Sequence, residues 1–143
     1  MNTNSLYKNI EYHILPITLI FVLSLSRLIP HPPNFTPIIT VAIISGYFFK
    51  NVYLSAMVLI ISMLIGDLFI GFYTNMIFVY ISLLFITMIF FKAVKKMNSK
   101  NLIIFAFLGS LVFFLISNFG VWIFANMYEK NLNGLMQCYL MAI

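Results

Sequence analysis

The chain has 143 residues, of which 63% are hydrophobic and 8% charged, with a formal net charge of +5. Soluble domains run closer to half apolar and a quarter charged, and a mean hydropathy of +1.06 leaves too little polar surface to cover a water-soluble core. Composition therefore excludes a soluble domain and predicts an all-α membrane protein, a polytopic helical bundle. A barrel does not fit, because the apolar runs do not alternate with polar residues as barrel strands do.

The first apolar run covers 14–29 and has Pro16 near its start, where first-turn amides lack helical partners. A cleaved signal peptide is the competing reading, but no small-residue cleavage site follows and the next residues are proline-rich. The break "PHPPNFTP" holds Pro30, Pro32, Pro33 and Pro37, which fix φ and bias the residues before them to extended backbone. The second run, 38–49, is short for a crossing of about 20 residues and reads as a full crossing or a re-entrant helix. Pro37 is placed to open it, with Thr36 as N-cap. The third run, 52–72, is interrupted only by Asp67, and the fourth covers 76–91. A linker with Lys92, Lys95, Lys96 and Lys100 leads to the fifth run, 102–124, and a polar stretch leads to the last, 135–143. That run stops without a polar flank and reads as the first half of a sixth span in a truncated chain. The expectation is one integral membrane domain over 1–143, with six transmembrane helices in the full chain.

Lysine placement sets the orientation. With the N-terminus inside, Lys8, Lys50 and the four-lysine linker all fall on the cytoplasmic side, while Lys130 falls outside and Arg27 near the outer boundary. This bias favours a full crossing by 38–49. It also explains the net charge without a nucleic-acid partner, and the linker is expected to touch anionic lipid. Cys138 is the only cysteine, so neither an internal disulfide nor a cysteine zinc cluster is expected.

In this topology Arg27, His31, Asn34, Asp67, Asn118 and Trp122 come to a similar depth near the outer side, through a helical rise of about 1.5 Å per residue. Ionisable groups in spans cost about 2.5–3.5 kcal/mol each on insertion scales, so they persist where they pair or meet water. Arg27 and Asp67 are the obvious pair, either as a structural clamp or as part of a polar pocket for a small solute. These six residues are the candidate ligand-binding set, with Trp122 as an aromatic wall. A lone arginine suits a carboxylate or phosphate on the solute. His31 has no second histidine at metal spacing, so no metal site is expected. Ser62 with Gly66, and Ala106 with Ser110, are small-residue pairs that let helices approach closely in lipid. There is no H-E-x-x-H, nucleophile elbow or P-loop, and Glu11, Asp67 and Glu129 are the only acids. No catalytic residue or cofactor is expected.

The stretches "RLIPHPPNFTPIITVAIISGYFF", "GDLFIGFY", "SNFGVW" and "GLMQCYLMAI" resemble an uncharacterised family of small bacterial membrane proteins. That family is in turn similar to the substrate-binding S components of energy-coupling factor transporters, and "SMLIGDLFIG" looks like a version of their glycine-patterned third helix. The resemblance implies six helices, a location in the bacterial cytoplasmic membrane and capture of a vitamin or metal ion on the outer side, with a vitamin-like solute the expectation here. It also implies partners that supply the energy, a transmembrane coupling protein and ATPase subunits. The first helix, "LPITLIFVLSLSRLI", departs from the pattern in lacking an A-x-x-x-A docking surface, and "MNTNSLYKN" lacks the Met-His start of metal-type members. The alternative is a structural or assembly subunit of a membrane complex with no ligand of its own.

Overall fold

A computed structural model describes residues 3–29, 37–93 and 98–143, with side chains described from Ile14 onward. Among the described residues the fold is entirely helical: α1 (Thr3–Leu28), α2 (Ile38–Phe49), α3 (Val52–Ile70), α4 (Met76–Ala93), α5 (Ser99–Phe124) and α6 (Leu132–Leu140). The expected second run coincides with α2. The first differs most, because α1 begins at Thr3 and carries Pro16 in its interior rather than its first turn. In lipid, neighbouring groups re-satisfy a backbone bond that a proline removes.

Asparagine starts three of the helices. The side chains of Asn51, Asn98 and Asn131 accept bonds from first-turn amides of α3, α5 and α6, which satisfies donors that have no helical partner. For α2 the cap position falls on Pro37, with no side-chain cap bond, one residue later than the sequence suggested. Thr36 itself lies outside the described residues, as do Pro30, His31, Pro32, Pro33, Asn34, Lys95 and Lys96.

Helix α2 is central: it packs against α3, α4 and α5, while α1 lies along α3 and α6 lies on α5. The core gathers Leu23 of α1, Ile38, Val41, Ala42 and Ile43 of α2, Leu59 and Met63 of α3, and Leu83, Ile86 and Phe90 of α4. At 12 residues, α2 reaches only about 18 Å, against about 30 Å of hydrocarbon. Its short length is tolerable because protein surrounds it, and backbone that leaves a helix at membrane depth is viable where protein covers it. Helices α3, α4 and α5 are each long and apolar enough to cross a membrane.

The side-chain distribution is compatible with a membrane protein. Large apolar groups point out, including Phe21, Leu68, Phe69, Ile103 and Phe107. Small hydroxyls point in: Ser24, Ser55, Ser62, Ser82, Thr87 and Ser117 are buried, and each hydroxyl donates to a carbonyl three or four residues earlier in its own chain. Such back-bonding satisfies a polar group where no water is available.

Small residues set the helix spacing, though not all as expected. On α3, Ser62 and Gly66 are both buried at the α1 contact, where the Ser24 hydroxyl also reaches the Ser62 carbonyl at 3.1 Å. On α5, Ser110 is exposed and Ala106 half-buried. The close approach there is at Gly109, where a Cβ would stand 2.8 Å from Cδ1 of Ile43 on α2. A pair at i and i+4 identifies a small face but not which neighbour uses it, and on α5 the face was off by one helical position.

Candidate functional site

One end of the bundle collects the ends of α1 and α3, the starts of α2 and α4, and the last turns of α5. Arg27, in the last turn of α1, crosses to α3 there. Its Nη2 lies 2.5 Å from Oδ1 of Asp67, and its Nη1 donates to the Met63 carbonyl at 2.9 Å. Gly66 makes the crossing possible: a Cβ at this position would stand 3.0 Å from Nη1 and 3.2 Å from Cδ of Arg27. The hydroxyl of Tyr80 on α4 donates to the other Asp67 oxygen at 2.6 Å. Both carboxylate oxygens are thus engaged, and the Asp67 side chain is fully buried while that of Arg27 is 12% exposed. The triad joins α1, α3 and α4 at one point, and it turns the guanidinium, not the carboxylate, toward open space.

That open space is a cavity of about 370 Å³, at the small end of the range of about 300–1,000 Å³ typical of small-molecule sites. Its apolar walls are Ile38 and Ile39 of α2, Met63 of α3, Val79 of α4, and Phe113 and Val121 of α5. Its polar groups are Arg27, Tyr73 and Asn75 from the α3–α4 turn, and Ser117 and Asn118 from α5. The Ser117 hydroxyl is spent on the Phe113 carbonyl. Asn118 donates through Nδ2 to the Phe114 carbonyl at 2.9 Å, which leaves its Oδ1 as an acceptor. Tyr73 lies beside Arg27 and Asp67; burial raises the pKa of its phenol, the Asp67 charge adds to this, and Arg27 pulls it back. The hydroxyl therefore stays protonated at neutral pH. A wider groove of about 500 Å³ at the opposite end has Lys92 as the one charged group among its described lining residues, with Tyr53 and apolar side chains around it.

The six expected site residues divide into four groups. Arg27 and Asn118 line the cavity. Asp67 sits behind Arg27 rather than on the wall, and His31 and Asn34 lie outside the described residues. Trp122 is absent from the wall: its indole N–H donates to the Glu129 carbonyl at 2.9 Å, and its ring packs against Phe119 at 5.7 Å between centroids. Lys130 completes this corner by donating to the carbonyls of Trp122 and Ala125 at the end of α5, where a cation complements the helix dipole. Sequence reasoning missed Tyr80, the second partner of Asp67. The available signal was a phenol in the first turns of α4, directly across a short turn from an in-span carboxylate.

A family model matches residues 8–143, nearly the whole chain, and its description is "Family of unknown function (DUF6580)". The chain belongs to DUF6580. No curated protein and no solved structure matches it. For this DUF6580 member the site must therefore be read from its own geometry, in which five polar groups from α1, α5 and the α3–α4 turn converge in an apolar shell.

Proposed function

We propose that this DUF6580 member is a membrane-embedded subunit that binds a small, vitamin-like solute and passes it inward, without catalysing a reaction on it. The observation that carries this reading is the cavity beside Arg27. Its polar groups converge at the end of a bundle whose outer surface is apolar, which is the composition small-molecule sites need. Asn75 and Asn118 would orient the solute, Arg27 and Tyr73 would donate to it, and the isoleucines of α2 would exclude water from its apolar part.

In this reading the full chain crosses a bacterial cytoplasmic membrane six times with its N-terminus inside, so the cavity opens outward. Lys50, Lys92 and Lys100 lie at the far ends of α2, α4 and α5 from Arg27, which fits a cytoplasmic end rich in lysine. A reporter fused after Lys96 is expected to be active only in its cytoplasmic form; an external signal would reverse the orientation. The chain carries no nucleotide-binding motif, so energy would come from partners such as a transmembrane coupling protein and ATPase subunits, in the manner of the energy-coupling factor S components its sequence resembles.

A second reading has its own support, because both Asp67 oxygens are satisfied within the protein and the triad would serve equally as a clamp in a structural subunit. Mass spectrometry of small molecules released from the denatured, detergent-purified full chain separates the two. The solute-binding reading expects one compound in near-stoichiometric amount. An empty protein that always co-purifies with another membrane subunit would support the clamp instead.

A further inference from the structure

We propose that the solute held in this cavity is uncharged at neutral pH, a small molecule that offers hydrogen-bond acceptors to Arg27 and Tyr73 and an amide-like edge to Asn75 and Asn118. This rests on the solute-binding reading and deepens it. The sequence alone suggested an anion, because a lone arginine suits a carboxylate or phosphate. The geometry points elsewhere. Arg27 is the one charged side chain among the described residues on the cavity wall, and its Nη2 is already 2.5 Å from Asp67.

An entering anion would meet an ion pair whose charges cancel, not a free cation. It would have to compete for the guanidinium with a carboxylate that is fully buried and also held by Tyr80. Otherwise it would leave the site with a net negative charge in surroundings of low dielectric, where unpaired charge is most costly. A cation fares no better. Asp67 is sealed behind Arg27, so a cation would face the positive end of the pair with no carboxylate within reach among the described wall residues.

A neutral molecule meets neither obstacle. Arg27 has five N–H donors, and the pair with Asp67, the bond to Met63 and the contact with Tyr73 still leave donors for a carbonyl oxygen or ring nitrogen. The Asn75 side chain makes no bond within the described residues, and Asn118 keeps its Oδ1. Together they supply both donors and acceptors, and unlike charged groups they impose no counter-ion on the ligand. The remaining wall is apolar, so the rest of the solute would be a compact ring or hydrocarbon body suited to about 370 Å³.

The test uses the detergent-purified full chain freed of bound small molecules by mild washing. A small-molecule extract of bacterial cells is separated on ion-exchange resins at pH 7 into anionic, cationic and neutral fractions. Each fraction is added to the protein and the melting temperature is read. The neutral fraction is expected to raise it by several degrees, the charged fractions are expected to leave it unchanged, and Asn118→Leu is expected to remain folded and lose the shift. A shift produced by the anionic or cationic fraction overturns the inference and leaves the solute-binding reading standing. A neutral shift that persists undiminished in both Asn118→Leu and Asn75→Leu places the solute elsewhere and also overturns it. No shift from any fraction overturns the solute-binding reading, and the inference with it.

Discussion

Asp67→Ala is expected to lower the melting temperature of the detergent-solubilised protein by on the order of 10 °C, the largest single-residue effect in the molecule. The substitution strips Arg27 Nη2 and the Tyr80 hydroxyl of their shared acceptor and leaves the guanidinium without its ion-pair partner, held by the neutral Met63 carbonyl. Breaking a buried ion pair by removing one partner costs about 3–5 kcal/mol, which for a chain of this size corresponds to a shift of that order. Arg27→Ala is expected to cost less, because the stranded carboxyl keeps its bond with the Tyr80 hydroxyl. The double substitution should recover part of the loss, since the two residues share one interaction and their effects are not additive. Thermal unfolding of the four proteins of this cycle, all washed free of small molecules, measures the coupling. Strictly additive losses would mean that the pair holds no helices together.

Gly134→Ala is expected to open the corner between α5 and α6. A Cβ on Gly134 would overlap the Glu129 carbonyl oxygen, and would stand 2.8 Å from the Glu129 carbonyl carbon and 2.9 Å from its nitrogen. These are backbone atoms, so no rotamer change relieves the overlap, and overpacking of this kind costs about 1–3 kcal/mol. Two bonds lie in the path of the displacement: the Trp122 indole N–H to the Glu129 carbonyl, and the Gly134 amide to the Asn131 cap at 2.8 Å. Trp122 is the chain's one tryptophan, so its fluorescence reports this corner alone. The expected result is emission shifted to longer wavelength with helix content nearly retained. Unchanged emission would show that the corner accommodates the methyl group.

The sequence made the helices legible because they are apolar runs separated by short polar or proline-rich breaks. Run 38–49 matched α2 at both ends. The membrane-facing character was equally plain, since composition alone excludes a core covered by polar surface. The Arg27–Asp67 pair was visible from cost: two opposite charges in apolar runs, brought to one depth by helical rise, have few other ways to be satisfied. What a linear reading could not supply was rotation about the helix axes. Tyr80 and Trp122 are each at the right end of a helix, but only packing decides that Tyr80 turns to Asp67 and Trp122 turns to the Glu129 carbonyl. The same limit explains why Ala106 and Ser110 were chosen over Gly109. The cavity wall followed suit: the convergence of Tyr73 and Asn75 with Asn118 depends on how α3, α4 and α5 close around the centrally packed α2.

The central claim is that the space between Arg27 and Asn118 holds a small solute, and filling that space tests it most directly. Ser117 is nearly buried on the cavity wall, so Ser117→Phe would place a ring where the solute is expected. Phe107→Leu, on the exposed apolar face of α5, alters the same helix without touching the cavity. Native mass spectrometry of the wild type and both variants, released gently from detergent, reads occupancy as added mass. The account predicts a bound compound on the wild type and on Phe107→Leu, and a folded but empty Ser117→Phe. Equal added mass on all three proteins, or none on the wild type, would contradict it.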